Sequence, residues 1–377
     1  MSFKEGCLII MEYRDEHEKK QEVIFGIVGS GWRSEFFLRI AKELPDRFKV
    51  CGLVTRSEET GAKLERTFGI KTYRSIDELL RFSKPSFMVV SVPGKVTPEI
   101  IKELAGKGVP ILSETPPAPD LHALIELNKL TENGAKIQVA EQYHLQPMHA
   151  ARTAIINSGK LGEISHAQVS FSHGYHGMSL MRRLLGIGFE NARITAVKLK
   201  ASFVAGPGRN GLSDKEIMLE GKQEIAIFDF GDKSGVYDFT PDQHRSFVRA
   251  NRILVCGNKG EISNNEVRYL KDYRTPIEYE LIEKNTGLNG NFEDYYIKGV
   301  LGGDEWVYIN PYIPGKLSED EIAIATCLEK MDNYVNGGPE FYSLAEASQD
   351  HYLGLMIKKA LDTNAAVSTE SQPWAHL

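Results

Sequence analysis

Short runs of hydrophobic, strand-forming residues alternate with amphipathic stretches along the first third of the chain. In the amphipathic stretches apolar residues recur every three or four positions, which predicts helices between strands. The predicted strands are VIFGIVG (23–29), FKVCGLV (48–54), SFMVVSVP (86–93), VPILSE (109–114) and AKIQVAEQ (135–142). Continuous apolar runs suit strands that are buried on both faces. Strands that alternate with helices at this spacing predict a doubly wound parallel sheet.

The pattern changes after about residue 146. One helix, predicted from MHAARTAIINSG (148–159), leads into longer β-prone runs, and two helices near 319–336 and 343–362 follow. The β-prone runs are 164–173, 194–205, 223–231, 234–240, 252–256 and 267–283. Turns such as GDKSG and GNKGE connect some of them as hairpins, which predicts a largely antiparallel, open sheet. We therefore expect an α/β protein with a charged N-terminal extension (1–21), a parallel-sheet domain (22–145) and an α+β domain (146–377).

The composition is that of an ordinary soluble globular protein, because 42% of the 377 residues are hydrophobic and 25% are charged. The net charge of −6 disfavours nucleic acid or an anionic membrane as a partner, since both attract a basic surface. No stretch is long and apolar enough to cross a bilayer. The cysteines lie far apart, without the spacing of a zinc site, which predicts no metal site and a reducing, cytoplasmic location. They are Cys7, Cys51, Cys256 and Cys327.

The turn between the first predicted strand and helix, GIVGSGWRS (26–34), has the pattern of a dinucleotide-binding turn. Gly29 and Gly31 take the first two positions of the G-x-G-x-x-G fingerprint, and Ser34 takes the third. Small residues there let the backbone approach a pyrophosphate, which the helix N-terminus stabilises. The motif requires this place in an alternating sheet, although glycines also occur in ordinary tight turns. The candidate cofactor contacts in the turn are Gly29, Ser30, Gly31, Trp32 and Arg33.

The second strand ends in Thr55, Arg56 and Ser57, where an NAD site commonly has an acidic residue that binds the ribose hydroxyls. A guanidinium beside small hydroxyls suits the 2′-phosphate of NADP, because it donates paired, charge-assisted hydrogen bonds. The alternative is a surface arginine that pairs with Glu58 or Glu59. We therefore expect NADP as the preferred cofactor and NAD as the alternative.

Further candidates follow the other predicted strands, at the edge where ligands bind in open α/β sheets. In ILSETPPAPD (111–120), prolines force the chain to turn directly after a carboxylate and a hydroxyl. The candidate cofactor contacts at these strand ends are Val92, Pro93, Glu114, Thr115 and Gln142. The candidate substrate contacts are Tyr143, His144 and His173.

These motifs together resemble the Gfo/Idh/MocA family, which is named for glucose–fructose oxidoreductase and inositol dehydrogenase. The resemblance covers roughly residues 22–370 and rests on several segments in order. The segments are GIVGSGWRSEFF, VVSVPGKVTPEIIKELAGKGVPILSETP, AEQYHLQPMHAARTAIINSGKLGEIS, HGYHGMSLMRRLLG, ILVCGNKGEI and YSLAEASQDHYLGLMIKKAL. The resemblance implies a Rossmann dinucleotide-binding domain and a second domain whose open sheet mediates contacts in a homodimer or homotetramer. It also implies hydride transfer between a nicotinamide and a sugar, polyol or related small carbonyl compound.

The resemblance also implies the catalytic positions, two of which differ here. Glu114-Thr115-Pro116 stands where the family has Glu-Lys-Pro, so an uncharged threonine replaces the lysine. Ser172 stands where the family has an aspartate, four residues before the catalytic histidine. That histidine is His176, and we expect it to be the catalytic base because an imidazole titrates near neutral pH. The alternative is that His176 only caps its helix or packs in it.

Three functions fit this sequence. The first is an NAD(P)-dependent oxidoreductase that acts on a small polyhydroxylated substrate with a rearranged catalytic centre. The second is a non-catalytic protein that binds a cofactor or a sugar and has kept the fold. The third is cleavage of a glycoside through transient oxidation by NAD. The glycine turn and the retained histidine favour the oxidoreductase, whereas the replaced lysine and aspartate favour the binding protein.

Overall fold

The computed structural model of the chain describes residues 22–208, 211–288 and 293–376. The predicted N-terminal extension (1–21) lies outside the described residues. Within the described ranges, the chain forms two sheets and the helices that pack on them. No helix in these ranges has the length and the apolar character that a membrane span needs.

Six parallel strands form the first sheet. They are β1 (Val23–Val28), β2 (Phe48–Val54), β3 (Thr72–Tyr73), β4 (Phe87–Val90), β5 (Ile111–Ser113) and β6 (Ile137–Val139). The helices between them are α1 (Ser34–Glu43), α2 (Glu58–Phe68), α3 (Ile76–Phe82), α4 (Thr97–Gly106) and α5 (Leu121–Glu132). The spatial order β3-β2-β1-β4-β5-β6 is that of a Rossmann dinucleotide-binding sheet. The predicted doubly wound parallel sheet is therefore confirmed.

The central strands of this sheet explain the continuous apolar runs in the sequence. The side chains of Phe25, Ile27 and Phe87 on β1 and β4 are fully buried, since helices cover both faces. The edge strand β3 is not among the predicted strands because it is only two residues long. It pairs with β2, with Thr72 opposite Leu53, and so brings the residue after it to the carboxyl edge of the sheet.

The second sheet contains eleven strands. A 3₁₀ turn (Tyr143–Leu145) and α6 (Pro147–Asn157) lead into it from the first sheet. Its strands are β7 (Ile164–Ser170), β8 (Arg193–Val204), β9 (Met218–Asp229), β10 (Ser234–Phe239), β11 (Arg252–Gly257), β12 (Gly260–Ser263), β13 (Glu266–Asp272), β14 (Thr275–Asn285), β15 (Ile297–Gly302), β16 (Glu305–Ile309) and β17 (Val367–Ser368). The helices in this part of the chain are α7 (Gly174–Leu185), α8 (Glu319–Val335) and α9 (Leu344–Thr363), and α8 packs on α1, β1 and β4 of the first sheet. The spatial order is β16-β15-β14-β13-β12-β11-β7-β10-β9-β8-β17, and of the described pairs only β7–β10 is parallel.

Two details of this sheet differ from the sequence prediction. The predicted run 267–283 is two strands, β13 and β14, because the Asp272 carboxylate accepts hydrogen bonds from the Arg274 N–H (2.9 Å) and the Thr275 hydroxyl (2.9 Å) and stabilises a turn. Strands β12, β15, β16 and β17 lie outside the predicted runs. Both predicted hairpins are confirmed: GDKSG joins β9 to β10, and GNKGE joins β11 to β12.

Helices cover one face of the second sheet, where α7 packs on β7 and α9 packs on β8. The opposite face of β8 and β9 is apolar and exposed. Val197, Leu199 and Ile227 are 45%, 51% and 53% exposed, and Ile225 lies directly opposite Val197 across the strand pair. These four side chains form one apolar surface, which we call the β8–β9 face.

Candidate active site

The strands of the first sheet end at one cleft, which the second part of the chain closes from the opposite side. The cleft has a volume of about 1450 Å³. Its lining from the edge of the first sheet includes Gly29, Ser30, Gly31, Trp32, Arg33, Thr55, Arg56, Arg74, Val92, Pro93, Glu114, Thr115, Gln142 and Tyr143. Its lining from the second part of the chain includes His173, His176, Gly206, Pro207, Gly208, His244, Arg245 and Asp320. Ligands bind at this carboxyl edge in open α/β sheets.

The first strand–helix turn has the backbone geometry that its glycine pattern predicts. Gly29 has a φ of +118°, and a Cβ atom there would lie 2.0 Å from the backbone oxygen of Ser91, so only glycine fits. Gly31 differs, because a Cβ atom there would meet no atom within 4 Å. Gly31 thus leaves open space beside the N-terminus of α1, where unpaired backbone N–H groups favour an anion.

Three buried polar atoms around this turn have no hydrogen-bond partner within the described residues. They are the hydroxyl of Ser34, Nη2 of Arg33 and the side-chain oxygen of Gln142. Buried polar atoms in folded proteins are nearly always paired. Arg33 and Gln142 both line the cleft, so a polar ligand in the cleft could supply their missing partners.

Two arginines lie at the end of the cleft that β2 and β3 form. Arg56 follows β2 and is exposed, and within the described residues it makes no ion pair with Glu58 or Glu59. Arg74 follows β3 and donates a hydrogen bond to the backbone oxygen of Thr55 (3.3 Å). Both guanidinium groups line the cleft, which gives this end of it a local positive charge in an acidic protein.

The hydroxyls beside Arg56 have different environments. Thr55 is buried, and its hydroxyl lies 2.8 Å from that of Ser30 in the glycine turn. Ser57 does not contribute to the cleft lining, because its hydroxyl accepts the N–H of Thr60 (3.2 Å) and caps α2.

A buried ion pair joins the glycine turn to the end of β5. Nε of Arg33 lies 2.9 Å from Oε1 of Glu114. Burial lowers the pKa of Arg33, but the neighbouring Glu114 carboxylate more than offsets this and leaves the pKa above its ordinary value. Thr115 follows, with a cis peptide bond to Pro116. At the end of β5 the positive charge therefore comes from Arg33, since Thr115 is uncharged.

His176 lies in the first turn of α7, and its Nδ1 is 2.6 Å from Oε2 of Glu141. Glu141 follows β6 and is fully buried, and its Oε1 accepts the backbone N–H of Tyr143 (3.1 Å). Burial raises the pKa of the Glu141 carboxyl and lowers the pKa of the His176 imidazole. Both shifts disfavour a charged pair, so the two side chains form a hydrogen bond between neutral groups at neutral pH.

Aromatic and imidazole rings surround His176. The ring centroids of Tyr143 and His173 are 4.5 and 5.0 Å from that of His176, and His244 is 6.0 Å from His173. Burial lowers the pKa of His173 and of His244 to about 4. These imidazoles are therefore uncharged at neutral pH. In the part of the chain that the structure describes, no group of three or more His, Cys, Asp or Glu side chains could hold a metal ion.

The cleft contains most of the predicted site residues, and besides Ser57 the exception is His144. The 3₁₀ turn after Gln142 directs Tyr143 into the cleft, whereas His144 stacks on Tyr342 with ring centroids 5.2 Å apart and does not contribute to the lining. Its imidazole is uncharged, because burial lowers the pKa of His144 to about 3.

Glu141, Arg74 and Asp320 are among the charged residues at the site that were not predicted. Glu141 directly precedes Gln142 after an apolar run, and this position was the signal that could have identified it. Arg74 follows a strand too short to be recognised. Asp320, near the N-terminus of α8, accepts a hydrogen bond from the Gln146 amide (2.8 Å), and nothing in the sequence links it to the first sheet.

Comparisons with known proteins agree with this geometry. The profile of the GFO_IDH_MocA family, an oxidoreductase family with an NAD-binding Rossmann fold, matches residues 23–143. An uncharacterized oxidoreductase of Schizosaccharomyces pombe is 27% identical over 142 residues, which are 37% of this chain and 38% of the relative. An uncharacterized protein of Saccharomyces cerevisiae is 26% identical over 147 residues, which are 37% of this chain and 42% of the relative. The match thus spans about two fifths of the length of these relatives.

Solved structures share the fold along nearly the whole chain. Levoglucosan dehydrogenase in complex with NADH has a TM-score of 0.67 at 15% identity, over 93% of this chain and 100% of that chain. An NAD-binding oxidoreductase from Klebsiella pneumoniae has a TM-score of 0.66 at 15% identity, over 93% and 100% of the two chains. An oxidoreductase from Agrobacterium radiobacter in complex with NAD⁺, L-tartaric acid and magnesium has a TM-score of 0.66 at 15% identity, over 92% and 98%. At a sequence identity of 15%, these similarities show a common fold only. Residues 23–143 thus match the model of the Gfo/Idh/MocA oxidoreductase family with an NAD-binding Rossmann fold.

Proposed function

We propose that the protein is an NADP-dependent oxidoreductase that transfers hydride between the nicotinamide and a sugar, a polyol or a related small hydroxy or carbonyl compound. One observation carries the proposal: the glycine turn of the first sheet and His176 line the same cleft. A dinucleotide bound across the carboxyl edge of a Rossmann sheet would extend from the glycine turn to the neighbourhood of His176. Its redox-active ring would then lie beside a group that can accept a proton.

The residues that would hold the cofactor follow the strand ends. The N–H groups beside Gly31 would bind the pyrophosphate, and Arg56 and Arg74 would bind the 2′-phosphate. Gln142, whose buried side-chain oxygen has no partner among the described residues, would accept a hydrogen bond from the nicotinamide carboxamide. When bound, the nicotinamide accepts or donates the hydride, and the protein supplies orientation and proton transfer.

His176 would move the proton that accompanies hydride transfer. Oxidation of an alcohol releases its hydroxyl proton, and a positioned base contributes about 10²–10⁴-fold to such a step. The imidazole is in its uncharged form because burial lowers its pKa. Arg33 is the cation that acts most strongly on His176, so we infer that Arg33 supplies the charge that the family's lysine would place at Thr115.

We expect Arg56→Ala to weaken NADP binding by about tenfold or more and to leave NAD binding nearly unchanged. The loss of a charge-assisted hydrogen bond to the 2′-phosphate costs about 1.5–3 kcal/mol. Arg74→Ala should act in the same direction. The matched control is Arg66→Ala, an exposed arginine of α2 outside the cleft lining. Calorimetric titration with both cofactors measures the effect, and equal wild-type affinities for NAD and NADP would contradict the preference.

The proposed substrate class is supported by the polar groups beside His176. Tyr143, His173 and His244 line the cleft there and can hydrogen-bond to several hydroxyls. Two proteins of this fold are named with compounds of this class, levoglucosan and L-tartaric acid. The test is to incubate the protein and NADP with a panel of sugars, polyols and hydroxy acids and to follow the absorbance of reduced nicotinamide. Reduction with any of them would support the proposal.

A non-catalytic cofactor- or sugar-binding protein is the second candidate, favoured by Thr115 and Ser172 at the two replaced positions. It predicts that NADP binds but that no compound of the panel reduces it. NAD-assisted glycoside cleavage predicts a third outcome, in which the leaving alcohol is released without net reduction of the cofactor.

We also propose that the protein is a homodimer or homotetramer that assembles through the β8–β9 face. Helices cover only one side of this sheet, so the apolar β8–β9 face on the other side is exposed unless another chain binds to it. Ile227 lies within this face. Ile227→Lys is therefore expected to shift the protein towards monomer, because a buried, unpaired charge opposes association. Light scattering at micromolar concentration measures this. A monomeric wild-type protein would contradict the proposal.

The cysteines support a reducing, cytoplasmic location, which we propose on this ground. Within the described ranges, Cys51, Cys256 and Cys327 form no disulfide bond. Burial raises the pKa of Cys51 to about 11, so its thiol stays protonated and unreactive at neutral pH.

A further inference from the structure

The carboxyl partner of His176 comes from an unexpected place in the chain. At the position of the family's aspartate stands Ser172, which is buried. The carboxyl group that contacts His176 belongs to Glu141, which follows β6 in the first sheet. The contact therefore joins the end of the first sheet to α7 of the second.

The Glu141 carboxyl is held on both oxygens. Its Oε2 lies 2.6 Å from Nδ1 of His176, and its Oε1 accepts the backbone N–H of Tyr143 at 3.1 Å. The hydroxyl of Ser179, on the turn of α7 that follows His176, lowers the pKa of this carboxyl, against the larger effect of burial. Because Nδ1 is engaged by Glu141, Nε2 is the nitrogen of His176 that remains for a ligand in the cleft.

We propose that Glu141 is the positioning residue of this site: it holds Nδ1 of His176 so that Nε2 serves the cleft, and the two side chains gain and lose one proton as a unit. The effect on catalysis rests on the proposed function. The proton exchange of the pair itself does not, since it is a property of the protein without cofactor.

Proton and hydride balance follows from this arrangement. Oxidation begins from the pair that has lost its additional proton as the pH rises: Glu141 is then a carboxylate that accepts the Nδ1–H of His176, and Nε2 carries a lone pair. The O–H bond of the substrate breaks and its proton goes to Nε2, while the C–H bond breaks and the hydride, with both electrons, goes to the nicotinamide. The pair then holds one additional proton, with Nε2–H facing the cleft and the other proton shared between Oε2 and Nδ1. It releases the additional proton from Nε2 to solvent, and reduction runs these steps in reverse.

Charged and titratable groups face the pair from several elements. Those that face His176 are Arg33, Glu114, Asp320, His173, His244 and Tyr143. Those that face Glu141 are Arg33, Arg183, Tyr175, Tyr342, Asp350 and Cys327. Burial is nevertheless the largest cause of the pKa shift of both members. Because burial disfavours net charge, the pair keeps its additional proton to a higher pH than an ordinary imidazole does and becomes a proton acceptor as the pH rises further.

The direct test is nitrogen NMR of the imidazoles in the cofactor-free protein, recorded against pH for the wild type and Glu141→Gln. We expect the wild-type His176 signals to shift in one step above the ordinary histidine range. Glutamine fills nearly the same space but does not titrate, so this step should be absent in Glu141→Gln. The matched control is Asp332→Asn, which replaces a buried carboxyl of α8 outside the cleft lining and should retain the step. An unchanged His176 step in Glu141→Gln would overturn the proposal.

The kinetic readout applies once a substrate is known. Glu141→Gln should lower kcat by about 10²-fold, within the range of a positioned base, and should remove the rise of the oxidation rate at high pH. Cofactor affinity should stay unchanged. A uniform loss of rate that keeps the wild-type pH profile would mean a purely structural role and would overturn the proposal. If no compound is turned over, the proposed function fails while the NMR step still decides the role of Glu141.

A second variant covers the case in which Glu141→Gln does not fold. His176→Asn keeps the Glu141 carboxyl, whose protonated form has its own infrared band. Loss of the imidazole should move the pH at which this band disappears. The same midpoint in the wild type and in His176→Asn would show that the two side chains titrate independently, against the proposal.

Discussion

Gly31→Val is expected to weaken the binding of NADP and NAD by roughly 100-fold or more while the protein stays folded. Apart from its chain neighbours, no described residue has an atom within 4 Å of a Cβ atom at Gly31, so the valine methyl groups would occupy the cleft rather than displace the protein. They would keep a pyrophosphate from the N–H groups at the start of α1. Losing two charge-assisted hydrogen bonds, at about 1.5–3 kcal/mol each, gives a reduction of this size. Calorimetric titration measures the cofactor affinity of the variant, and thermal unfolding measures whether it stays folded.

Two other glycines serve as controls for this variant. Gly106→Val adds the same side chain at the end of α4, where it also meets no atom within 4 Å, and should leave cofactor binding unchanged. Gly29→Ala should instead destabilise the protein, because the residue has a φ of +118° and its Cβ atom would lie 2.0 Å from a backbone oxygen. If Gly31→Val binds cofactor as tightly as the wild type, the glycine turn is not the pyrophosphate site.

His176→Asn is expected to lower kcat by roughly 100-fold or more and to leave cofactor affinity nearly unchanged. The asparagine amide can keep a hydrogen bond to Glu141, but it cannot accept the substrate proton. The hydroxyls of Thr115 and Ser172 are too weakly basic at neutral pH to replace the imidazole. Steady-state kinetics on a substrate that is turned over, with a parallel cofactor titration, measure the effect.

The matched control for His176→Asn is His122→Asn, which removes an exposed imidazole of α5 outside the cleft lining. It should leave kcat and KM unchanged. A nearly normal kcat in His176→Asn would assign the base elsewhere, and Tyr143, whose ring centroid is 4.5 Å from that of His176, would be tested next.

The first sheet could be predicted from the sequence because its signals are local. Continuous apolar runs such as VIFGIVG mark strands buried on both faces, and Gly29 marks a turn that no other residue can adopt. The edge strand β3 could not be predicted, because two residues are too few to show an alternation of hydrophobic and polar positions. Arg74, which depends on that strand for its place in the cleft, was missed with it.

The proposed proton-transferring pair could be predicted only in part. His176 is predicted through its spacing from neighbouring residues in a motif that resembles one of the family. Its partner Glu141 is 35 residues away, and their contact exists because the end of β6 meets the first turn of α7. The spacing of residues in the sequence does not indicate such a tertiary contact. The position of the His144 side chain could not be predicted for the same reason. The sequence places His144 after a strand end, but the 3₁₀ turn directs its side chain towards Tyr342.

The central claim is that the cleft binds a nicotinamide dinucleotide across the glycine turn, with the nicotinamide beside His176. Titration of the wild-type protein and Gly31→Val with NADPH, followed by the fluorescence of the reduced nicotinamide, tests it most directly. We predict a saturable change with one cofactor per wild-type chain and its loss in Gly31→Val. No saturable change in the wild type, or the same change in both proteins, would contradict the claim.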